Sequence, residues 1–184
     1  MELLIVLVVV SIVLAIAVPS FGDFRRNSHL TGASNDILAS FQLARTEAIK
    51  RQQTVSVCSS ANPQANPGAT CSGGPFVGWI VFSDPNADCQ RSADETVVGR
   101  EGPLDNSLRA SSAGVCATFA PTGFAVDLPD GIEADRLLFC DQRGLALQTG
   151  TDQSAARGIT ISRMGRPSLT RDPDVIASWG LPCP

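Results

Sequence analysis

Six cysteines, Cys58, Cys71, Cys89, Cys116, Cys140 and Cys183, are the residues of this sequence best equipped for chemistry. Thiols in such numbers hold zinc, act as redox or nucleophilic centres, or pair as disulfides. Their spacing disfavours zinc, because no CxxC pair exists and His29 is the sole imidazole available to complete a ligand set. The even count suits three disulfides, with many connectivities open. Joining neighbours along the chain gives Cys58–Cys71, Cys89–Cys116 and Cys140–Cys183, each adding about 2–4 kcal/mol in a loop-entropy account. Such bonds persist in an oxidising compartment, which places the domain in the periplasm or outside the cell.

Other candidates for chemistry are sparse. A Ser/His/Asp or Cys/His site would have to be built around His29, which reads instead as an exposed or membrane-proximal helix residue. Asp84, Asp88, Asp94 and Glu95 fall in one loop, and Asp84-Pro85-Asn86-Ala87-Asp88 alternates oxygen-bearing side chains as Ca²⁺ loops do. It has neither the glycine nor the distal bidentate glutamate of an EF-hand, so solvated loop carboxylates are expected. Gly73-Gly74 reads as a turn, with no phosphate-loop motif around it. The expectation is a chain with no catalytic residues, no metal and no cofactor.

Charge is unevenly placed. Fourteen basic against eighteen acidic side chains give a net charge of −4, which argues against a globally basic nucleic-acid binder. Between residues 143 and 171, however, Arg143, Arg157, Arg163, Arg166 and Arg171 stand against Asp152 alone. Guanidinium groups suit bidentate phosphate contacts. Ser162-Arg163-Met164-Gly165-Arg166 would sit at a strand end or turn that presents them together, the plainer alternative being a solvated strand face with local salt bridges.

The elements that must position these residues begin with an apolar run. From Leu3 to Val18, Ser11 is the one polar side chain in sixteen residues, about 24 Å of helix. A bilayer core is about 30 Å thick, so the run alone is slightly short for a span. It is apolar on every face, which argues against a buried core helix, and no basic region precedes it as in a cleaved signal peptide. Glu2 at its head is costly in lipid unless a neighbouring subunit supplies a positive partner. Pro19 and Gly22 are expected to break or kink the run, with Asp23, Arg25 and Arg26 marking an interfacial exit. Beyond them, Leu30, Ile37, Phe41, Ala44 and Ala48 recur at helical spacing to about Arg51.

After residue 53 the period changes. Thr54–Cys58 and Trp79–Phe82 read as strands, the second buried on both faces, with weaker candidates at Thr96–Val98, Val115–Phe119, Arg136–Cys140, Leu145–Leu147, Gly158–Ser162 and Ser168–Arg171. Asn62–Pro75 and much of Ser83–Ala113 read as loop. The expected fold is α+β, a long N-terminal helix packed on an antiparallel β-sheet domain and stabilised by disulfides. Its expected divisions are residues 1–19, a membrane-spanning or filament-core half of the helix; 20–53, the amphipathic half; and 54–184, the β-rich globular domain.

Glu2-Leu3-Leu4-Ile5-Val6-Leu7, followed by Ala15-Ile16-Ala17-Val18-Pro19, resembles the N-terminal segment of type IV pilins and type II secretion pseudopilins. Ala44–Arg51, Val55–Cys58, Gly78–Asp84 and Gly165-Arg166 narrow the resemblance to the GspH/FimT/FimU group of minor pilins and pseudopilins. The resemblance implies that Glu2 neutralises a neighbour's N-terminal amine, and that a leader and the first mature residues precede this sequence. It also implies a single-pass inner-membrane protein with a periplasmic domain, prepilin peptidase acting on the precursor, and other pilins or pseudopilins as partners. A disulfide pinning the C-terminal tail, as Cys140–Cys183 would, fits the same group. Members that bind DNA carry a C-terminal GRxR motif. Gly165-Arg166 matches it, while Ser168 takes the second arginine position and Arg171 lies further on, leaving Arg163, Arg166 and Arg171 as the candidate DNA contacts.

Overall fold

The structure is a computed structural model that describes residues 2–71, 76–114, 116–126 and 136–183, with the backbone alone for 16–20. One helix, α1 (Glu2–Arg51), runs unbroken through Pro19 and Gly22, so the expected break there is absent from its secondary structure. A proline costs its helix one backbone hydrogen bond and a local clash, which fifty residues of otherwise continuous helix absorb. Lys50 and Arg51 complement the carbonyl end of the dipole, and Gln52, with φ of 53°, takes the left-handed turn that ends it.

The two halves of α1 behave differently. In the second half a stripe formed by Leu30, Ala33, Ile37, Phe41, Ala44 and Ala48 is buried against the β domain. In the first half the apolar residues from Leu3 to Leu14 are exposed, apart from Ser11 all of one chemical character. Among the described residues, no helix is long and apolar enough to cross a membrane.

The single expected sheet is two antiparallel four-stranded sheets. The first has the order β3-β2-β1-β5, from β1 (Val55–Ser60), β2 (Gly78–Ser83), β3 (Val97–Glu101) and β5 (Cys116–Phe119). The second has the order β4-β6-β7-β8, from β4 (Arg109–Ser112), β6 (Arg136–Cys140), β7 (Arg157–Ile161) and β8 (Pro167–Thr170). A short helix, α2 (Pro173–Ser178), follows; Asp172 caps it, accepting from the backbone N–H groups of Asp174 and Val175, and Pro173 opens its first turn. Leu145–Leu147 forms no strand, only an isolated bridge from Leu147 to Ser154. Gly73-Gly74 and Val115 lie outside the described residues.

Strand period explains how β1 and β2 are buried on both faces. Val55, Val57, Trp79 and Val81 point to the helix, while Cys58, Ile80 and Phe82 point the other way into a second apolar cluster with Cys89 and Cys116. Cys58–Cys71 and Cys89–Cys116 clip loops over that outer face, and Cys140–Cys183 holds the tail on the second sheet beside Leu138 and Ile176. The aromatic centre couples helix to sheets: Phe41 meets Phe119 at 6.3 Å, and Trp79 meets Phe139 at 6.2 Å between ring centroids. Trp79 Nε1 donates to Ser40 Oγ at 2.8 Å, so its buried indole has a partner on α1.

Candidate functional site

Two features could meet a partner: the bare half of α1 and the arginine-bearing hairpin β7–β8. Along α1, Glu2 stands in the first turn, where a carboxylate favours the positive end of the helix dipole, and no basic side chain among the described residues pairs with it. Leu3, Leu4, Ile5, Val6 and Leu7 follow it on an exposed helix, Leu3 at 71% and Leu7 at 57%. Contiguous apolar surface on this scale marks a membrane or protein contact. Pro19 lies in the same helix further along.

The rim of the β domain holds α1 just beyond this stretch. His29 Nδ1 sits 3.3 Å from Asp105 Oδ2, which makes His29 a helix-to-loop tether. Arg143 Nη2 donates to Asn27 Oδ1 at 2.9 Å and to Asp141 Oδ2 at 2.6 Å, while its Nε donates to both Asp141 oxygens. Burial pushes the Asp141 carboxyl up, but hydrogen bonds from the Arg143 side chain and backbone outweigh it and hold it below the usual carboxylate range. An acid held below its unfolded value stabilises the fold above that value, about pH 4, and loses the contribution as pH falls through the folded one. Chemical denaturation of Asp141→Asn should therefore show lower stability at neutral pH and a flatter stability curve below about pH 4. An unchanged curve would contradict the pairing.

The five arginines do not act as one cluster. Arg143 is bound to Asp141, and Arg157 is buried with Nη1 donating to the carbonyls of Ala155 and Ala156 at 2.7 and 3.3 Å. Burial first, then repulsion from Arg171 and Arg143, pushes the Arg157 guanidinium down to about 10, leaving it cationic at neutral pH. Arg171 donates to the Ser154 carbonyl from Nε and Nη2, at 3.4 and 3.3 Å, and to Gln148 Oε1. Arg163 and Arg166 occupy the exposed 162–166 turn with Met164. That turn is seated by glycine: Gly165, with φ of 68°, lies so close to Gly123 that a Cβ would fall 2.2 Å from its carbonyl oxygen. The Ala125 N–H donates to the Arg163 carbonyl at 3.1 Å, which fixes the turn on the 120–125 segment.

The loop acids are not simply solvated. Asp84 is fully buried, accepting from Ser56 Oγ at 2.6 Å and from the backbone N–H groups of Asp88 and Cys89 at 3.2 Å. Ser56 Oγ in turn meets Thr118 Oγ1 at 2.7 Å, a link across β1 and β5. Glu95 is also buried, accepting from the Ser92 N–H, whereas Asp88 and Asp94 form short-range turns. The burial of Asp84 escapes sequence reasoning because its side-chain partner, Ser56, lies 28 residues away on β1, while its other donors are backbone N–H groups of its own loop. Among the described residues, no three His, Cys, Asp or Glu side chains gather as a metal group.

A disulfide-clipped α+β domain is docked on the second half of a long helix and leaves residues 3–15 of that helix bare. The family of the type II transport protein GspH matches residues 33–165, and the chain belongs to it, within the minor pilin and pseudopilin group that its sequence resembles. No curated protein matches. Among solved structures it is similar to the type IV minor pilin FimU of Pseudomonas aeruginosa, at 21% identity and a TM-score of 0.47 over 79% of this chain and 91% of that one. A second crystal form of FimU matches at 19% identity and a TM-score of 0.45, over 76% of this chain and 91% of that one. The minor pseudopilin EpsH from the type 2 secretion system of Vibrio cholerae matches at 10% identity and a TM-score of 0.47, over 78% and 97%.

Proposed function

We propose that this chain is a minor pilin, held in the inner membrane by its N-terminal helix with the globular domain in the periplasm, which joins the tip of a type IV pilus and primes its assembly. One observation carries the reading: residues 3–15 of a fifty-residue helix, apolar apart from Ser11, are exposed and follow an acidic residue at its head. An all-apolar helix serves lipid before assembly and a helical filament core after it, since both exclude water. Residues 1–19 are the buried part in either state, Glu2 pairs with a neighbouring subunit's terminal amine, and the role is structural rather than catalytic. The apolar run from Leu3 to Val18 is about 24 Å of helix, most of the thickness of a bilayer's hydrocarbon core.

The equivalent role in a type II secretion pseudopilus uses the same physical parts. Deleting the gene in its own host separates the two: loss of surface filaments with normal protein secretion supports the pilus. Loss of secretion with normal filaments would overturn it in favour of the pseudopilus. DNA capture through Arg163, Arg166 and Arg171 is the less favoured reading, because Arg171 spends its guanidinium on Ser154 and Gln148.

A further inference from the structure

Asp36 and Arg45 are nine residues apart on α1, about two and a half turns, so they stand on opposite sides of the helix. The buried stripe of Ile37, Phe41 and Ala44 runs between them. The β domain extends each side into a flank of opposite charge.

On the Arg45 side, the helix meets the 120–125 segment and the hairpin turn seated on it. Gly123 packs on Arg45 and Ile49: a Cβ there would fall 3.2 Å from Arg45 Nε and 2.9 Å from Ile49 Cδ1. Arg45 Nε is buried without a hydrogen-bond partner, whereas its two Nη groups stay uncovered and meet no acceptor among the described residues. The guanidinium is thus held at its stem and turns outward an edge of paired N–H groups, the geometry that a carboxylate takes bidentately. Arg166 is exposed on the turn, its side chain unpaired among the described residues. Arg163 is already engaged within the chain. Ile49, Phe124 and Met164 are exposed on the same seam, and aromatic, Met and Arg side chains are those in which protein interfaces are enriched.

On the Asp36 side, a groove of about 310 Å³ lies between α1 and residues 101–105, with Trp79, Leu104 and Leu108 among the apolar residues of its lining. Three carboxylates line it as well. Asp105 is answered by His29 at 3.3 Å and by the charge of Arg25. Asp36 and Glu101 meet no cation among the described residues, so this flank keeps two uncompensated negative charges.

We infer that the arginine flank of one copy of this chain docks on the acidic flank of the next, in a head-to-tail contact between copies whose α1 helices lie parallel. Parallel neighbours come from the filament reading above, on which the contact rests; the pairing of flanks comes from the chain's own charges. Both complementary surfaces belong to one chain, which favours a second copy over nucleic acid. Two unpaired guanidinium groups among apolar side chains, in a protein of net charge −4, make a poor track for a phosphate backbone. Because the two flanks are different surfaces, the contact is heterologous and propagates instead of closing as a dimer. The nine-residue offset sets each copy about 13.5 Å further along the axis than the last.

Pull-down between two differently tagged copies of the full chain, co-expressed and recovered in detergent from the membrane fraction, tests the contact. Wild-type copies should co-purify. One variant reverses the arginine flank, Arg45→Glu with Arg166→Glu; another reverses the acidic flank, Asp36→Lys with Glu101→Lys. Either variant paired with itself sets like charges face to face, and its co-recovery should fall at least about tenfold. The two variants paired with each other restore opposite charges and should regain the wild-type level. Arg166→Glu alone, on an exposed turn, should give part of the loss without endangering the fold. Asp152→Lys, in the loop at the other end of the hairpin, should change nothing. No co-recovery of wild-type copies, undiminished recovery of a reversed variant with itself, or no return on mixing would overturn the contact. Loss of wild-type co-recovery after nuclease digestion would assign the arginine flank to DNA and overturn it too. A chain missing from the membrane fraction would instead remove the membrane-held state, and the same pull-down from the soluble fraction would then decide the flanks.

Discussion

Gly165→Val should cost about 4 kcal/mol, enough to unfold much of a domain whose total stability is of ordinary size. Two effects add. With φ of 68°, Gly165 occupies the left-handed region that a β-branched residue strongly resists. Its Cβ would also fall 2.2 Å from the Gly123 carbonyl oxygen, a backbone atom that cannot swing aside as a flexible side chain could. Gly144, with φ of 62°, shares the conformation but has open space around it, so Gly144→Ala should cost only the backbone part, about 1–2 kcal/mol. Urea denaturation of the two variants separates conformational strain from collision. Similar midpoints would contradict the packing of the hairpin turn on the 120–125 segment.

The second large effect is at the centre of the domain. Trp79→Ala should lose about 4 kcal/mol, because the indole is buried among Phe76 and Phe139 and bonded to Ser40 on α1. Its consequence differs from that of Gly165→Val. Trp79 is where β2 meets the docked helix, so the variant should raise hydrogen exchange in α1 between residues 30 and 48 before the outer sheet face opens. Ser40→Ala keeps the indole but removes its acceptor, along with the hydroxyl's own bond to the Asp36 carbonyl, and should cost about 1 kcal/mol. If Trp79→Ala lowered stability without loosening α1, the indole would be a core residue with no part in docking the helix.

The helix and the central strands were legible because each states its period in side chains that burial then confirms. Leu30, Ile37, Phe41, Ala44 and Ala48 form one stripe, and Trp79–Phe82 is a continuous apolar run that proves buried on both faces. What escaped was structure decided by distant partners. The β4 segment, Arg-Ala-Ser-Ser, has neither β-branched nor aromatic residues and becomes a strand because β6 offers it an edge. Helix α2 carried its signals openly in Asp172 and Pro173, but six residues make no periodic pattern. Leu145–Leu147 had the composition of a strand without a ladder to join.

The site shows the same division. The helical, apolar character of Leu3–Leu14 could be read directly, since a helix without tertiary neighbours needs none to be recognised. The arginine-rich stretch could not, because its chemistry depends on what each guanidinium meets. Arg143 and Arg157 turn inward, Arg171 bonds across to Ser154 and Gln148, and only Arg163 and Arg166 reach the exposed turn.

The reading as a filament subunit rests on Glu2 and the exposed half of α1, and one comparison tests it most directly. Wild type and Glu2→Ala are expressed in the native host, and each is quantified in sheared surface filaments and in the inner-membrane fraction. Loss of the pairing carboxylate should reduce the filament-borne share by at least about tenfold at an unchanged membrane level, since a lipid-like core leaves an unpaired amine costly to bury. Equal incorporation of the two proteins would contradict the account.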